Sequence, residues 1–391
     1  MRVVANVFSI LLVFYSAFYI SSCKKKDFTV DYYREVEDII SDSSNVDVVL
    51  SELVNNGFTV EANDQIEKTD WEYFFKRYKS SSILDYKTIE VKPLLENLDS
   101  IFMNNTIVMF NENHFLSYQR EMFSKIADKA RSYGYDQVAI EALADNSNSS
   151  IMDESGVFLE AGYYTKDPYF SNTLLDLQSL DYDLISYEPS IQPDLTDLKT
   201  RDSLMSENII RRFNTSGRLL IFCGWGHAGN FPHTLRYYLN EKLPNKKIAS
   251  INQIILFPES RTTIYDSIST KIDGTFDKPS LVLKDNKPIT FNEWYEYLVI
   301  SPEKHKCHLG RKIPSSLITE LASLLPESPC DRLFIYNKNT LKSNQKYVPL
   351  AIIQDANEIK RSLGSIPSFI DEISAYKYCK GELIFLENIA L

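Results

Sequence analysis

The stretch TIVMFNENHFLSYQREMFSKIADKARSYGYDQVAIEAL, Thr106–Leu143, decides the fold of this chain. Its first apolar run, Ile107–Phe110, has the length and composition of a buried strand. A helix is predicted from Ser117 to about Tyr133, because apolar side chains recur on one face. Gln137–Ile140 is the next predicted strand. The stretch is therefore typical of a strand–helix–strand unit with parallel strands.

Both predicted strands end in charged residues. Asn111-Glu112-Asn113-His114 follows the first strand, and Glu141 follows the second. The carboxyl ends of parallel strands meet at one edge of an open α/β sheet, and ligands bind at that edge. Glu112, His114 and Glu141 are therefore candidates for a single site.

The alternation of strand and helix continues along the chain. A third strand ends in Glu188 and a fourth runs into His227, with a helix beginning near Arg201 between them. Four strands that alternate with helices favour a largely parallel sheet with crossover helices. The predicted fold class is α/β, with a mostly parallel central sheet flanked by helices.

Residues 240–391 contain further apolar runs but no assignable motif. These runs predict strands that either extend the central sheet or form a small α+β subdomain, and extension is favoured because no linker separates them. The predicted organisation is a signal peptide over 1–22, a tether and helical region over 23–99, an α/β core over 100–260 and a C-terminal α+β extension over 261–391.

The N-terminus has the features of an export signal. Arg2 precedes a short apolar core, Val7–Tyr19, which is too short for a comfortable membrane span. Ile20-Ser21-Ser22-Cys23 resembles a bacterial lipobox, and this resemblance implies that Cys23 is lipidated. The protein is then expected in the cell envelope, tethered to a lipid bilayer outside the cytoplasm. An N-terminal anchor helix is the alternative.

The net charge bears on the partners of the protein, and the cysteine positions bear on its thiols. The formal net charge is -11 and the basic residues are scattered, so the sequence predicts no nucleic-acid partner. Cys223 lies in an apolar run and is predicted to be a buried free thiol. The sequence leaves open the pairing of Cys307 with Cys330, and it leaves Cys379 unassigned.

The polar strand ends predict a carboxylate-rich pocket with two histidines. One chemistry for such a pocket is general-base catalysis, with His114 deprotonating water for attack on an ester or amide. His227 then stabilises the developing oxyanion or protonates the leaving group. The other chemistry is a divalent metal held by Glu112, His114 and Glu141, which activates the water. Arg201 is predicted to bind a substrate carboxylate or to pair with Glu188.

The same residues carry a family resemblance over roughly residues 100–235. Asn111-Glu112-Asn113-His114 resembles the G-E-x-H motif of the TraB/Tiki/ChaN/erythromycin-esterase superfamily, with Asn111 in place of the usual glycine. Ala139-Ile140-Glu141 resembles that superfamily's second-strand glutamate. The helix beginning RDSLMSEN at Arg201 resembles its R-D-x-x-M-A-x-N helix, and Gly226-His227 resembles its late histidine motif.

The resemblance implies an α/β core with a pocket at the strand ends. It implies hydrolysis in some branches, metal-dependent proteolysis in the Tiki branch and haem binding in the ChaN branch. The leading hypothesis is a hydrolase acting on a small-molecule or peptide substrate. The alternatives are a lipoprotein that binds haem or another ligand, with iron ligands drawn from Tyr163, Tyr164 or Tyr187 together with His227, and a non-catalytic scaffold.

Overall fold

The computed structural model describes residues 39–40, 46–56, 58–71, 89–141, 143–144, 151–189, 198–272, 276–289, 294–302, 312–325, 332–338, 340, 347–379 and 382–391. The predicted signal peptide and Cys23 lie outside these residues, as do Cys307 and Cys330. Within the described ranges, none of the helices combines the length and the apolar character that crossing a membrane requires.

The described strands are numbered along the chain. They are β1 (Glu90–Pro93), β2 (Ile107–Glu112), β3 (Tyr135–Ile140), β4 (Met152–Asp153), β5 (Gly156–Val157), β6 (Asp183–Ser186), β7 (Arg218–Gly224), β8 (Ile248–Leu256), β9 (Ser280–Lys284), β10 (Lys287–Pro288), β11 (Tyr297–Ile300), β12 (Arg332–Asn337), β13 (Ala351–Ile353), β14 (Glu372–Cys379) and β15 (Glu382–Ala390).

The described α-helices are numbered in the same way. They are α1 (Val46–Asn55), α2 (Thr59–Lys68), α3 (Asp99–Asn104), α4 (Ser117–Arg131), α5 (Pro168–Ser179), α6 (Leu198–Arg212), α7 (Leu235–Lys242), α8 (Thr263–Ser269), α9 (Ser315–Leu324) and α10 (Ile359–Gly364). Short 3-10 turns cover Leu95–Asn97, Leu159–Ala161, Tyr164–Lys166, Pro258–Ser260 and Ala356–Glu358.

The large sheet has the strand order β1-β9-β11-β8-β2-β7-β3-β6, with β10 paired to β9. Every pairing from β11 across to β6 is parallel. The strands β9 and β1 complete the other edge in antiparallel pairing. The predicted α/β class is therefore confirmed.

Alternate side chains of β2 enter two different cores. Val108 and Phe110 pack with α4 and α5 on one face of the sheet. Ile107 and Met109 pack with α6 and α7 on the other face. All four side chains are buried, and full burial of a side chain of this size contributes roughly 1.5–3 kcal/mol. The sheet is therefore covered on both faces, as continuous apolar strands require.

The strand order creates a crevice at one edge of the large sheet. The strands β2 and β7 are direct neighbours. The helices that follow them, α4 and α7, lie on opposite faces of the sheet. Chains that leave adjacent parallel strands in opposite directions open a ligand crevice at the carboxyl ends of those strands.

The C-terminal strands do not all extend the large sheet, which corrects the favoured prediction. The strands β9 and β11 do join it, whereas β12–β15 form a separate antiparallel sheet in the order β13-β12-β14-β15. The strands β14 and β15 pair with each other along most of their length. Such antiparallel neighbours need only a short connection, so they pair locally rather than adding to a distant parallel edge.

Two elements near the sheet follow local rules. The antiparallel edge strand β1 includes Pro93, which is tolerated there because an edge strand has unpaired N–H positions. Helix α7 begins at Leu235, where the Thr234 hydroxyl accepts a hydrogen bond from the Tyr237 N–H at 3.2 Å.

Candidate functional site

Polar side chains from four segments converge at the carboxyl edge of the large sheet. Glu112 is the last residue of β2 and His114 lies two residues beyond it. Glu141 directly follows β3, Glu188 follows β6 and His227 lies in the turn after β7. These are the residues that the sequence predicted to lie together. The structure arranges them as two hydrogen-bonded clusters.

The first cluster is built on Glu112. Its Oε1 lies 2.9 Å from His114 Nδ1. Arg120, one turn into α4, donates from Nε to Glu112 Oε2 at 2.8 Å and from Nη2 to Oε1 at 3.0 Å. Arg120 Nη2 also donates to the backbone carbonyl of His114 at 2.8 Å. The guanidinium therefore holds both the carboxylate and the loop that carries the imidazole.

Arg120 is in turn anchored by Asp167, which caps the N-terminus of α5. Asp167 Oδ2 accepts from Arg120 Nη1 at 2.5 Å, and its Oδ1 accepts from the Tyr169 N–H at 3.2 Å. Both Arg120 and Asp167 are buried. Removing one partner of a buried pair leaves an uncompensated charge, so this ion pair ties α4 to α5.

The pKa values of the two carboxyls differ in direction. Burial by itself raises the pKa of Glu112, but the Arg120 charge and the hydrogen bonds from His114 and Arg120 outweigh burial and lower that pKa. Burial dominates at Asp167 and raises its pKa despite the pairing with Arg120. Glu112 is therefore the carboxylate favoured in its charged form beside His114.

Tyr164 covers His114. The two rings stack with centroids 3.9 Å apart and planes inclined by 13°. The Arg120 guanidinium lies 5.7 Å from the Tyr164 ring centroid. Stacking of this kind restricts rotation of the imidazole, so His114 is held both by Glu112 and by an aromatic face.

Gly224, the last residue of β7, allows the clusters to approach each other. A Cβ atom added there would lie 2.4 Å from His114 Nε2 and 3.2 Å from Glu141 Oε2. His114 Nε2 and Glu141 therefore face the same piece of backbone, and only glycine leaves room for the imidazole. The Gly224 N–H also donates a hydrogen bond to Glu141 Oε2.

The second cluster is built on Arg201. Its Nη2 donates to Glu141 Oε1 at 2.9 Å and to Glu188 Oε1 at 2.6 Å. Burial raises the pKa of both carboxyls by itself. The His227 and Arg201 charges bring the pKa of Glu141 well below its ordinary value, whereas the Glu141 charge adds to burial and raises the pKa of Glu188. Of the two carboxyls, Glu141 is the one whose charged form the site favours.

His227 lies between two carboxylates. Its Nδ1 is 2.9 Å from Asp202 Oδ1, and its Nε2 is 3.5 Å from Glu141 Oε1. Asp202 Oδ2 also accepts the Leu235 N–H at 2.7 Å, at the start of α7. Burial alone lowers the pKa of His227, but the Glu141 and Asp202 charges overcome burial and raise it to about 10. The two carboxylates therefore favour the protonated imidazole, and Arg201 Nη1 also lies 3.3 Å from Nε2.

Buried amides shape the loop between the clusters. Asn111 Nδ2 donates to the Trp225 carbonyl at 2.9 Å, and Asn111 Oδ1 accepts the Gln253 N–H at 3.0 Å. The Asn113 N–H donates to Gln119 Oε1 at 2.7 Å. Asn111, which replaces the glycine of the G-E-x-H motif, thus links β2 to β8 and to the turn that carries His227.

The predicted metal ligands do not fit a metal ion in this arrangement. Both oxygens of Glu112 accept hydrogen bonds from Arg120, and one oxygen of Glu141 accepts from Arg201. A cation would have to displace these guanidinium groups from Glu112, His114 and Glu141. Among the described residues, no group of three or more histidine, cysteine, aspartate or glutamate side chains has the arrangement of a metal site.

The proposed iron ligands are also engaged elsewhere. Tyr187 is fully buried and its hydroxyl donates to the Phe222 carbonyl at 3.1 Å. The Tyr163 hydroxyl donates to Glu52, and Tyr164 stacks on His114. Both ring nitrogens of His227 face charged partners. These tyrosines and His227 do not form a pair of axial haem ligands here.

Sequence reasoning did not assign a role to three buried charged residues of the site. Arg120 has the sequence context of an ordinary helix residue, and Asp167 that of a helix cap before Pro168. Asp202 follows Arg201 in the quoted helix motif, and that adjacency was an available signal. Arg120 and Asp167 are 47 positions apart in the chain, so the local sequence pattern does not reveal their contact.

No family model and no curated protein matches the chain. Two solved structures match it in fold comparison. The structure of the type III effector HopBA1 has 13% sequence identity and a TM-score of 0.36, covering 55% of this chain and 97% of that one. A structure described as cofacial heme binding to ChaN of Campylobacter jejuni has 9% identity and a TM-score of 0.33, covering 54% of this chain and 92% of that one.

Proposed function

We propose that the chain is a hydrolase in which His114 activates water for attack on an ester or amide. The observation that carries the proposal is the hydrogen bond between His114 Nδ1 and Glu112 Oε1 at 2.9 Å. With Nδ1 donating its hydrogen to the charged carboxylate, Nε2 carries the lone pair that a general base needs. Gly224 lets the imidazole lie close against β7, and the His114 side chain is 13% exposed, so water can reach the ring.

In the proposed reaction, His114 Nε2 takes a proton from water as the water oxygen bonds to the substrate carbonyl carbon. The carbonyl oxygen becomes an oxyanion, and the charged groups of His227 and Arg201 stabilise it. The tetrahedral intermediate then breaks its bond to the leaving oxygen or nitrogen. The proton held by His114 passes to that atom, so that an acid and an alcohol or amine are released and the imidazole is neutral again.

One matched pair of variants and one further substitution test this assignment. His114→Asn retains a donor near the position of Nδ1 and lacks the Nε2 lone pair, whereas exposed His233→Asn is its control because asparagine tolerates the positive φ of His233. On a panel of aryl esters and amides, His114→Asn and Glu141→Gln should each lose about 100- to 10,000-fold in turnover. His233→Asn should retain turnover.

Circular dichroism of all variants establishes that the loss is not unfolding. Near-parental turnover of both His114→Asn and Glu141→Gln would mean that these strand ends are structural. Failure of the parent to hydrolyse any member of the panel also contradicts the proposal.

We also propose that the protein is exported and anchored to the membrane through lipid on Cys23. The support is the sequence Ile20-Ser21-Ser22-Cys23 after a short apolar segment. Detergent partitioning and the N-terminal mass should both change in Cys23→Ser. Unchanged partitioning and mass would rule out lipidation.

Ligand binding without turnover is the competing function. One observation favours it, because Glu112 and Glu141 are already paired with arginines, as in a site built for recognition rather than reaction. Haem is the ligand suggested by the family resemblance. A shift of the haem Soret band when haem is mixed with the parent protein would support haem binding if the same shift is absent with His227→Gln. Hydrolysis that depends on His114, with an unshifted Soret band, supports the hydrolase.

A further inference from the structure

A cavity away from the candidate site lies between the large sheet's helices and the C-terminal region. It has a volume of about 60 Å³ and lies between α4, α5 and residues 364–368, which begin with the last residue of α10. Its polar lining includes Glu121, Ser124 and Lys125 from α4 and Asn172 and Asp176 from α5. The lining residues differ from those of the candidate site at the strand ends. This cavity therefore needs its own explanation.

A buried amide of the cavity lacks one hydrogen bond. Asn172 is 2% exposed, and its Nδ2 donates to the Leu350 carbonyl at 2.9 Å and to Ser365 Oγ at 3.4 Å. Its Oδ1 is buried and has no partner among the described residues. A buried acceptor without a partner is unfavourable, so a ligand in the cavity that donates a hydrogen bond to Asn172 Oδ1 would be stabilised.

The charges of the lining favour a cation as that donor. Glu121 and Asp176 contribute two carboxyls, and Lys125 contributes one ammonium. Asp176 Oδ2 accepts from the Ser124 hydroxyl at 2.5 Å. Burial raises the pKa of Asp176, so a cationic ligand that offsets its charge favours the ionised carboxylate.

We propose that this cavity binds a small molecule with a primary ammonium group, which donates to Asn172 Oδ1 and pairs with Asp176. Because roughly 15 Å³ of such volume holds one water, the cavity accommodates about four non-hydrogen atoms. Ethanolamine has that size and carries the required group. A ligand in this position contacts both the helices of the large sheet and the segment that leads into β14, so it stabilises their association.

The proposal is tested by titration of the whole protein with compounds of similar size and different charge. The probes are ethanolamine, neutral ethylene glycol and anionic glycolate, followed by ligand-observed NMR and by thermal unfolding. A ligand this small is expected to bind with a Kd on the order of 1 mM. Ethanolamine should bind and raise the unfolding temperature, and each of the other two should bind at least roughly tenfold more weakly.

Two substitutions locate the binding. Asp176→Asn removes the charge at nearly constant shape and should weaken ethanolamine binding by roughly tenfold or more. Asp181→Asn is the matched control, since the Asp181 carboxyl is 99% exposed and should leave binding unchanged. Binding of ethylene glycol or glycolate as tight as that of ethanolamine overturns the proposal. So does undiminished ethanolamine binding by Asp176→Asn, or the absence of ethanolamine binding to the parent.

Discussion

The two histidines of the site have similar partners but different charge environments. His114 shares Glu112 with Arg120, so a buried guanidinium already compensates the carboxylate that contacts this imidazole. His227 lies between Asp202 and Glu141, and the two carboxylates raise its pKa to about 10. The comparison shows that one imidazole shares its carboxylate with a buried guanidinium, whereas two carboxylates flank the other.

That difference suits the two proposed roles. A general base must be neutral before it accepts a proton, and an oxyanion is best stabilised by a group that is already charged. Arg120 holds the Glu112 carboxylate and the His114 backbone carbonyl, so the proposed mechanism depends on Arg120 as well as on the imidazole.

The largest expected effect follows removal of Arg120. Arg120→Met leaves Glu112 and Asp167 buried without their counter-charge, and the free energy of unfolding should fall by about 3–5 kcal/mol. Arg201→Met should cost less, because Glu188 is 23% exposed and water can reach it. Denaturant unfolding measures both. Exposed Arg211→Met in α6 is the control, and its effect should be within about 0.5 kcal/mol. Equal losses in the free energy of unfolding for Arg120→Met and Arg201→Met would contradict the predicted difference between the two clusters.

The next effect follows from filling the space at Gly224. In Gly224→Ala the new Cβ overlaps the His114 ring, which must move away from its partners. We expect a loss of about 1–3 kcal/mol in the free energy of unfolding, together with lower turnover. Gly226→Ala is the matched control, since the nearest side-chain atom there is 3.8 Å from the added Cβ. Similar behaviour of the two variants would show that His114 does not depend on this gap.

The charge state of His227 predicts a pH dependence. Its folded pKa of about 10 is above the ordinary value of 6.5, so the stabilisation is fully present below pH 6.5 and disappears as pH rises through 10. Asp202→Asn removes one of the raising charges and should lower the folded pKa, each unit being worth about 1.4 kcal/mol. NMR titration measures the pKa of the His227 imidazole in the parent and in Asp202→Asn. Denaturant unfolding at pH values between 6.5 and 10 measures the loss of stability. An unchanged titration in Asp202→Asn would contradict the assignment.

The smallest effect concerns the ring above His114. Tyr164→Leu removes the stacked aromatic face and should cost about 0.5–1.5 kcal/mol beyond the lost contact area. Tyr164→Phe keeps the ring and should match the parent in stability. Thermal unfolding and turnover together separate the two variants. If Tyr164→Phe falls as far as Tyr164→Leu, the hydroxyl is important and stacking is not.

Local sequence pattern was sufficient to locate most elements that carry the candidate site. Apolar runs predicted the strands that became β2, β3, β6 and β7, and the central strand β2 is buried along its whole length because both faces of the sheet are covered there. Gly134 follows α4 with a φ of +80°, the left-handed conformation in which glycine commonly ends a helix. Cys223 is a buried free thiol, as its apolar neighbours predicted.

Tertiary structure alone decided which of those elements became neighbours. The strand β7 lies between β2 and β3, although the chain visits β3 and β6 first. That insertion brings Gly224 against His114 and sets Glu141 beside His227. The separate sheet β12–β15 likewise depends on pairings among strands that the pattern of apolar residues does not specify.

The chain's sequence by itself determined the order of strands and helices and the polar residues at the strand ends, because both depend on periodicity over a few residues. Only the tertiary structure decided the partners of those residues. The contact of Arg120 with Asp167, and those of His227 with Asp202 and Glu141, join segments far apart in the chain. Their charge states follow from burial and mutual distance, which exist only once the segments have packed together.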